Sequence, residues 1–147
     1  MLFTIENTRA YCYTGGKSFN PGQPTAVFIH GAQNDHSVWA LQTRYFAHHG
    51  WNVLAVDLPG HGRSLGAAKT SVEALARWIL AVLDAAGAAK ALLIGHSMGS
   101  LIALEAAYLA PDRISHLAML GSTYPMKVSP ALLETALKDE QAAIDMV

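Results

Sequence analysis

Two rhythms of apolar and polar residues alternate along this chain. Residues 25–30 (TAVFIH), 51–57 (WNVLAVD), 90–95 (KALLIG) and 114–122 (ISHLAMLGS) are short, nearly unbroken apolar runs. Runs of that length are what strands covered on both faces require. Between them, apolar residues return every three or four positions, the period of a helix with one buried face. In residues 35–49, Val38, Trp39, Leu41, Tyr45 and Phe46 share one broad face, and Gly50 ends the pattern. From position 70, Thr70 and Glu73 predict a capping box. Val72, Leu75, Ala76, Ile79, Leu80 and Leu83 then fall at i, i+3, i+4, i+7, i+8 and i+11, with Gly87 as the stop. Residues 98–110 are apolar on nearly every side, which predicts a deeply buried helix stopped by Pro111. Ahead of all these, residues 1–14 read as two short strands around Glu6-Asn7, and 15–24 as a loop of Gly, Pro and Asn.

Strands alternating with helices of this length build β-α-β units. The fold class is therefore α/β, with a mostly parallel, doubly wound sheet. After Tyr124 the alternation stops, and Ser129-Pro130 opens a last helix as N-cap and first helical residue. That change divides the chain into a core at 1–123 and a helical segment at 124–147. No internal repeat and no low-complexity segment interrupts either part.

Composition narrows the function. With 147 residues, 52% apolar and 14% charged, the chain has enough material for one domain with a core. A net charge of −1 and the absence of a long basic run argue against nucleic acid or a membrane surface as partner. Cys12 has no internal partner and reads as a small buried hydrophobe in a reducing compartment. No apolar stretch reaches the ~18 residues of a membrane helix, and the opening residues lack a basic, then apolar, leader pattern. A soluble, cytoplasmic protein is expected.

The chemistry concentrates where the run at 90–95 gives way to the helix at 98–110. There the chain reads GHSMG (95–99), a G-x-S-x-G pattern on a strand-to-helix turn. Such a turn strains the serine backbone and needs small neighbours. It lifts the Ser97 hydroxyl out of the packed layer and places the Met98 amide at a helix N-terminus, where donors are unpaired and negative charge is favoured. Those are the needs of a nucleophile with half an oxyanion hole. A second donor fits FIHGAQNDHSVW (28–39), where Gly31 permits close approach and the amide of Ala32 or Gln33 faces the same side. A dinucleotide fingerprint and a phosphate loop are both absent.

These two motifs, together with DLPGHGRS (57–64), resemble the α/β-hydrolase superfamily in order and spacing, close to its small bacterial esterase, haloperoxidase-like and carbon–carbon-bond hydrolase members. The resemblance implies a sheet of that type, truncated after about the sixth strand, with 124–147 as the start of a helical cap. It implies Ser97 as nucleophile and the amides of Met98 and Ala32, or Gln33, as oxyanion-hole donors. A carbonyl carbon would be attacked, an acyl-enzyme formed, and water would release it, with no metal and no organic cofactor. The expected substrate is a small, largely apolar ester or acyl compound. His30, Gly31, Trp39, Tyr124 and Met126 are the expected pocket residues.

A serine also needs a base and an acid. In this superfamily both follow the nucleophile in the chain. After Ser97 the one histidine is His116, and the acids are Glu105, Asp112, Glu134, Asp139, Glu140 and Asp145. His116 lies near the start of its strand and Asp112 at the opposite sheet edge, so neither reaches Ser97. His96 reads as packing, His61 and His36 as residues bordering the pocket, and Asp57 as a loop anchor. The expectation is a chain missing its catalytic acid and histidine, nearly inactive by itself, that exposes the strand at 114–121 as an unprotected edge prone to self-association. The rival reading is a non-catalytic fragment that folds by pairing that edge with itself or a partner.

Overall fold

The computed structural model describes residues 1–146. Six strands form one sheet in the order β1-β2-β4-β3-β5-β6. They are β1 (Leu2–Ile5), β2 (Thr8–Tyr13), β3 (Thr25–Ile29), β4 (Asn52–Val56), β5 (Ala91–His96) and β6 (Ile114–Leu120). The helices are α1 (Ala40–His48), α2 (Val72–Ala85), α3 (Met98–Leu109), α4 (Pro130–Lys138) and α5 (Glu140–Ile144). β4, β3, β5 and β6 run parallel, and β1 and β2 close one side as antiparallel strands. The hairpin turn uses Glu6 and Asn7, both at positive φ (51° and 60°), the turn whose twist matches its strands.

The parallel centre follows directly from the apolar runs. Every residue of β3 and β4 is buried, because helices cover both faces. One face carries the larger core, with Leu54, Val56, Leu93, Trp78, Ile79, Leu83 and Ile102. The other packs Phe28 against Trp39 and Phe46, with ring centroids 5.4 and 5.3 Å apart.

Several local expectations need correction. The first helical stretch is a 3-10 turn at His36–Trp39 followed by α1, because the Asp35 carboxylate accepts from Ser37 N at 2.7 Å and holds a tight first turn. The cap of α2 is Ser71, not Thr70: Ser71 is extended, and its hydroxyl accepts from Ala74 N at 3.1 Å. Gly87, at φ 67°, follows the end of α2 as a left-handed residue. Helix α3 is not buried all round: Gly99, Ser100, Ile102, Ala103 and Ala106 face the core, while Tyr108 is 79% exposed and Leu104 is exposed beside it. No described element covers that side. Strand β6 ends the sheet and carries an irregularity the sequence did not signal. Ala91 pairs with Ile114 but Leu92 with His116, so Ser115 is left over. Ser129 precedes α4 without a capping bond from its hydroxyl, and the last helix breaks at Asp139, which caps α5 by accepting from Ala142 N at 3.0 Å.

Candidate active site

Parallel strands place their carboxyl ends on one edge, and the site is built there. Ile29 pairs with Gly95, so the residues after β3 and those after β5 emerge side by side. A side-chain carbon added at Gly31 would lie 3.3 Å from Ser97 Cβ. Ser97 itself sits at φ 52°, ψ −122°, a backbone conformation that costs on the order of 1–3 kcal/mol for a residue other than glycine. The surroundings hold it there. Its amide donates to Leu120 O at 2.9 Å, and its carbonyl accepts from Ser100 N at 2.9 Å and from the Ser100 hydroxyl.

The flanking glycines are dictated by close approach. A Cβ at Gly95 would run into the carbonyl of Gly99. A Cβ at Gly99 would run into the carbonyls of Ile29 and His30. Helix α3 therefore starts directly against β3, and the Met98 amide stands in its first turn.

Over Ser97 lies a cavity of about 420 Å³. Gly31, Ala32, Gln33, His96, Ser97 and Met98 form its floor. Leu101, Met126 and Val128, with Leu132, Leu133 and Ala136 of α4, form its walls and roof. Helix α4 thus covers the nucleophile's cavity. The Leu132, Leu133 and Ala136 spacing in the sequence already carried that apolar face. Their role was missed because the pattern says that a face is apolar, not what it covers.

Three expected pocket residues lie elsewhere. His30 is fully buried and does not line the cavity. Its Nδ1–H donates to Gly31 O at 2.7 Å, Nε2 accepts from Leu58 N at 3.1 Å, and burial pushes its pKa below the ordinary histidine value. It is a neutral brace between two loops. Trp39 is buried against Phe28, away from the cavity, because the 3-10 turn rotates it into the core. Tyr124 is 82% exposed and does not line the cavity either. Gly31 and Met126 do line it.

The histidines divide as follows. His36 donates its Nδ1–H to Asp57 Oδ1 at 2.8 Å, and its backbone amide reaches the same oxygen at 2.8 Å. Asp57, fully buried, also accepts from Arg63 N at 2.7 Å, and its carbonyl accepts from the Ser64 hydroxyl at 2.6 Å. Asp57 thus anchors the loop at 58–69, and neither it nor His36 lines the Ser97 cavity. Asp35, His36 and Asp57 bring possible ligand atoms together, but both carboxylate oxygens of Asp57 are already committed to the two loops. His61 donates Nδ1–H to Pro59 O at 3.0 Å. His116 pairs with Leu92, four pairs below the Leu120–His96 pair, or roughly 13 Å at 3.3 Å per residue.

The description "alpha/beta hydrolase fold" belongs to a family whose model matches residues 24–145. The chain belongs to this family. Among curated relatives, 109 residues are 38% identical to the dihydrolipoyllysine-residue acetyltransferase component of the acetoin cleaving system of Pseudomonas putida, covering 74% of this chain and 28% of that one. Another 34% identity, over 104 residues, is to the (E)-2-((N-methylformamido)methylene)succinate hydrolase of Acinetobacter baylyi, covering 70% and 39%. A solved enzyme described as degrading N-acyl homoserine lactones superposes with a TM-score of 0.79 at 26% identity, over 98% of this chain and 54% of that one. The chain spans between about a quarter and two fifths of the two curated relatives it matches. No helix among the described residues is long and apolar enough to cross a membrane.

Proposed function

We propose that this α/β-hydrolase chain is the nucleophile-bearing part of a serine hydrolase. Ser97 attacks the carbonyl carbon of a small, largely apolar ester or acyl compound. The Met98 amide and that of Ala32, or Gln33, receive the charge of the tetrahedral oxygen, an acyl-serine forms as the leaving group departs, and water releases it. The single observation that carries this reading is the strained Ser97 backbone beneath an apolar cavity at the strand ends. Residues 124–147 act as the beginning of a lid over that cavity. The base and acid belong to polypeptide not among these 147 residues. The greater length of the relatives supports that part of the reading, as does the position of His30, His36 and His61 outside the lining of the Ser97 cavity. The same reading puts the protein in the cytoplasm, in keeping with its single buried cysteine, and gives the open β6 edge to self-association.

The test is a fluorophosphonate probe followed by mass spectrometry, beside turnover of a short 4-nitrophenyl ester. The chain should label slowly at Ser97, with Ser97→Ala unlabelled. Its hydrolysis should stay near the about 10³–10⁴-fold acceleration that a site without its full triad retains. Rapid stoichiometric labelling would mean that a base is already at hand. A folded chain that never labels at Ser97 would favour the non-catalytic reading.

A further inference from the structure

His30 follows β3, is fully buried, and has both ring nitrogens fixed by the backbone. The Leu58 N–H, which can only donate, points at Nε2 from 3.1 Å, so Nε2 carries no proton. The proton of the neutral ring is then on Nδ1, 2.7 Å from Gly31 O. Gly31 O also accepts from Asn34 N at 3.4 Å, so the ring and the turn at 31–34 share one carbonyl. The Gly31–Ala32 peptide is trans, and in a trans peptide the C=O and N–H point opposite ways. Holding Gly31 O against the buried ring therefore turns the Ala32 N–H away from the interior, and Ala32 lines the Ser97 cavity. A second proton would break this arrangement. Nε2 would become a donor facing the Leu58 N–H, so the ring must move, and Gly31 O with it. The groups facing the ring are the His61 ring, centroids 5.1 Å apart, and the Asp57 and Asp35 carboxylates. Burial, helped by His61, outweighs the Gly31 hydrogen bond and the two carboxylates, so the second proton arrives below the ordinary histidine range.

We propose that neutral His30 is the positioning residue for the Ala32 amide, and that a proton on Nε2 releases the turn at 31–34 and disables the site before the fold is lost. The role of that amide in receiving the tetrahedral oxygen rests on the serine-hydrolase reading above; the coupling of ring to turn does not.

The test is an NMR titration of the full isotope-labelled chain from about pH 8 to about pH 5, which spans the histidine range. At the upper end, ring-nitrogen spectra should show His30 protonated at Nδ1 alone. As the ring titrates, the amides of Ala32, Gln33 and Leu58 should move with its midpoint, while those of β4 and β5 stay dispersed. Ser97→Ala should leave this titration unchanged. Fluorophosphonate labelling at Ser97 supplies the functional readout. One pH unit below the midpoint about nine rings in ten are charged, so labelling should fall about tenfold relative to His30→Gln, whose side-chain oxygen accepts from Leu58 N–H at any pH. The proposal is overturned by a proton on Nε2 at the upper end, by a ring that does not titrate in this range, or by Ala32 and Leu58 amides that stay fixed while it does. Loss of the whole fold together with the ring's titration, or a labelling ratio that does not change with pH, overturns it as well. Ring and turn that titrate together in a chain that never labels at Ser97 would uphold the coupling and sink the serine-hydrolase reading, so the two failures are told apart.

Discussion

Replacing Gly99 by alanine tests the central joint of the site. On an ordinary helix the change would stabilise, since alanine is favoured over glycine by about 1 kcal/mol. Here the added methyl points at β3. It would sit 2.6 Å from His30 O and run into Ile29 O, and both are backbone atoms of a fully buried strand and its continuation. No rotamer change relieves such contacts, so α3 must move off the sheet. Overpacking of this kind costs about 1–3 kcal/mol, and the upper end applies where backbone must shift. Position 99 lies in the first turn of α3, where the propensity gain is only partly realised. A net loss of about 2 kcal/mol is expected. At ~2.1 cal/mol/K per residue, a chain of this length should melt about 6 °C lower. The assay is thermal and urea unfolding followed by circular dichroism, with Gly87→Ala as comparison. A carbon at Gly87 meets nothing within 4 Å, so only its φ of 67° opposes the change, at about 1–2 kcal/mol. A Gly99→Ala variant as stable as the parent, or more so, would refute the claim that α3 is pressed against β3. Fluorophosphonate labelling at Ser97 should fall in step with the lost stability.

Three further outcomes are expected. Burial pushes the Cys12 thiol up to about 12. At pH 8 only about one molecule in ten thousand then carries the thiolate, and iodoacetamide should modify Cys12 only once urea unfolds the chain. His30 titrates below its unfolded value, so the unfolded chain binds the extra proton. Stability should be full above about pH 6.5 and fall as pH drops below it, and His30→Gln should flatten the difference between urea midpoints at pH 7.5 and 5.5. Asp57→Asn turns an NH2 donor toward N–H donors and removes charge-assisted bonds to His36 and to the Arg63 amide, so a loss of about 2–3 kcal/mol should appear as a melting point about 6–10 °C lower.

Local signals in the sequence were enough for the elements and the elbow. The apolar runs at 25–30, 51–57 and 90–95 need two covered faces, so a parallel centre followed from hydrophobicity alone. GHSMG on a strand-helix junction predicted the strained Ser97, because the reason for its glycines is local crowding. The helix stop at Gly87 was equally legible, being a property of one residue's backbone freedom.

Other features depend on what meets across the fold, and no period in the chain encodes that. Phe28 made Trp39 a core residue, and Leu58 with Gly31 made His30 a buried brace, although both lie in the motif expected to line the pocket. Asp57 holds His36 and the loop at 58–69, a choice made by residues far apart in sequence. The roof of α4 over Ser97 arises the same way. The sequence determined which segments are strands and helices, and where the nucleophile turns, because those are short-range effects of backbone sterics and burial. Only the tertiary structure decided which side chains face the cavity, since that depends on the rotation of each element against partners the chain brings from a distance.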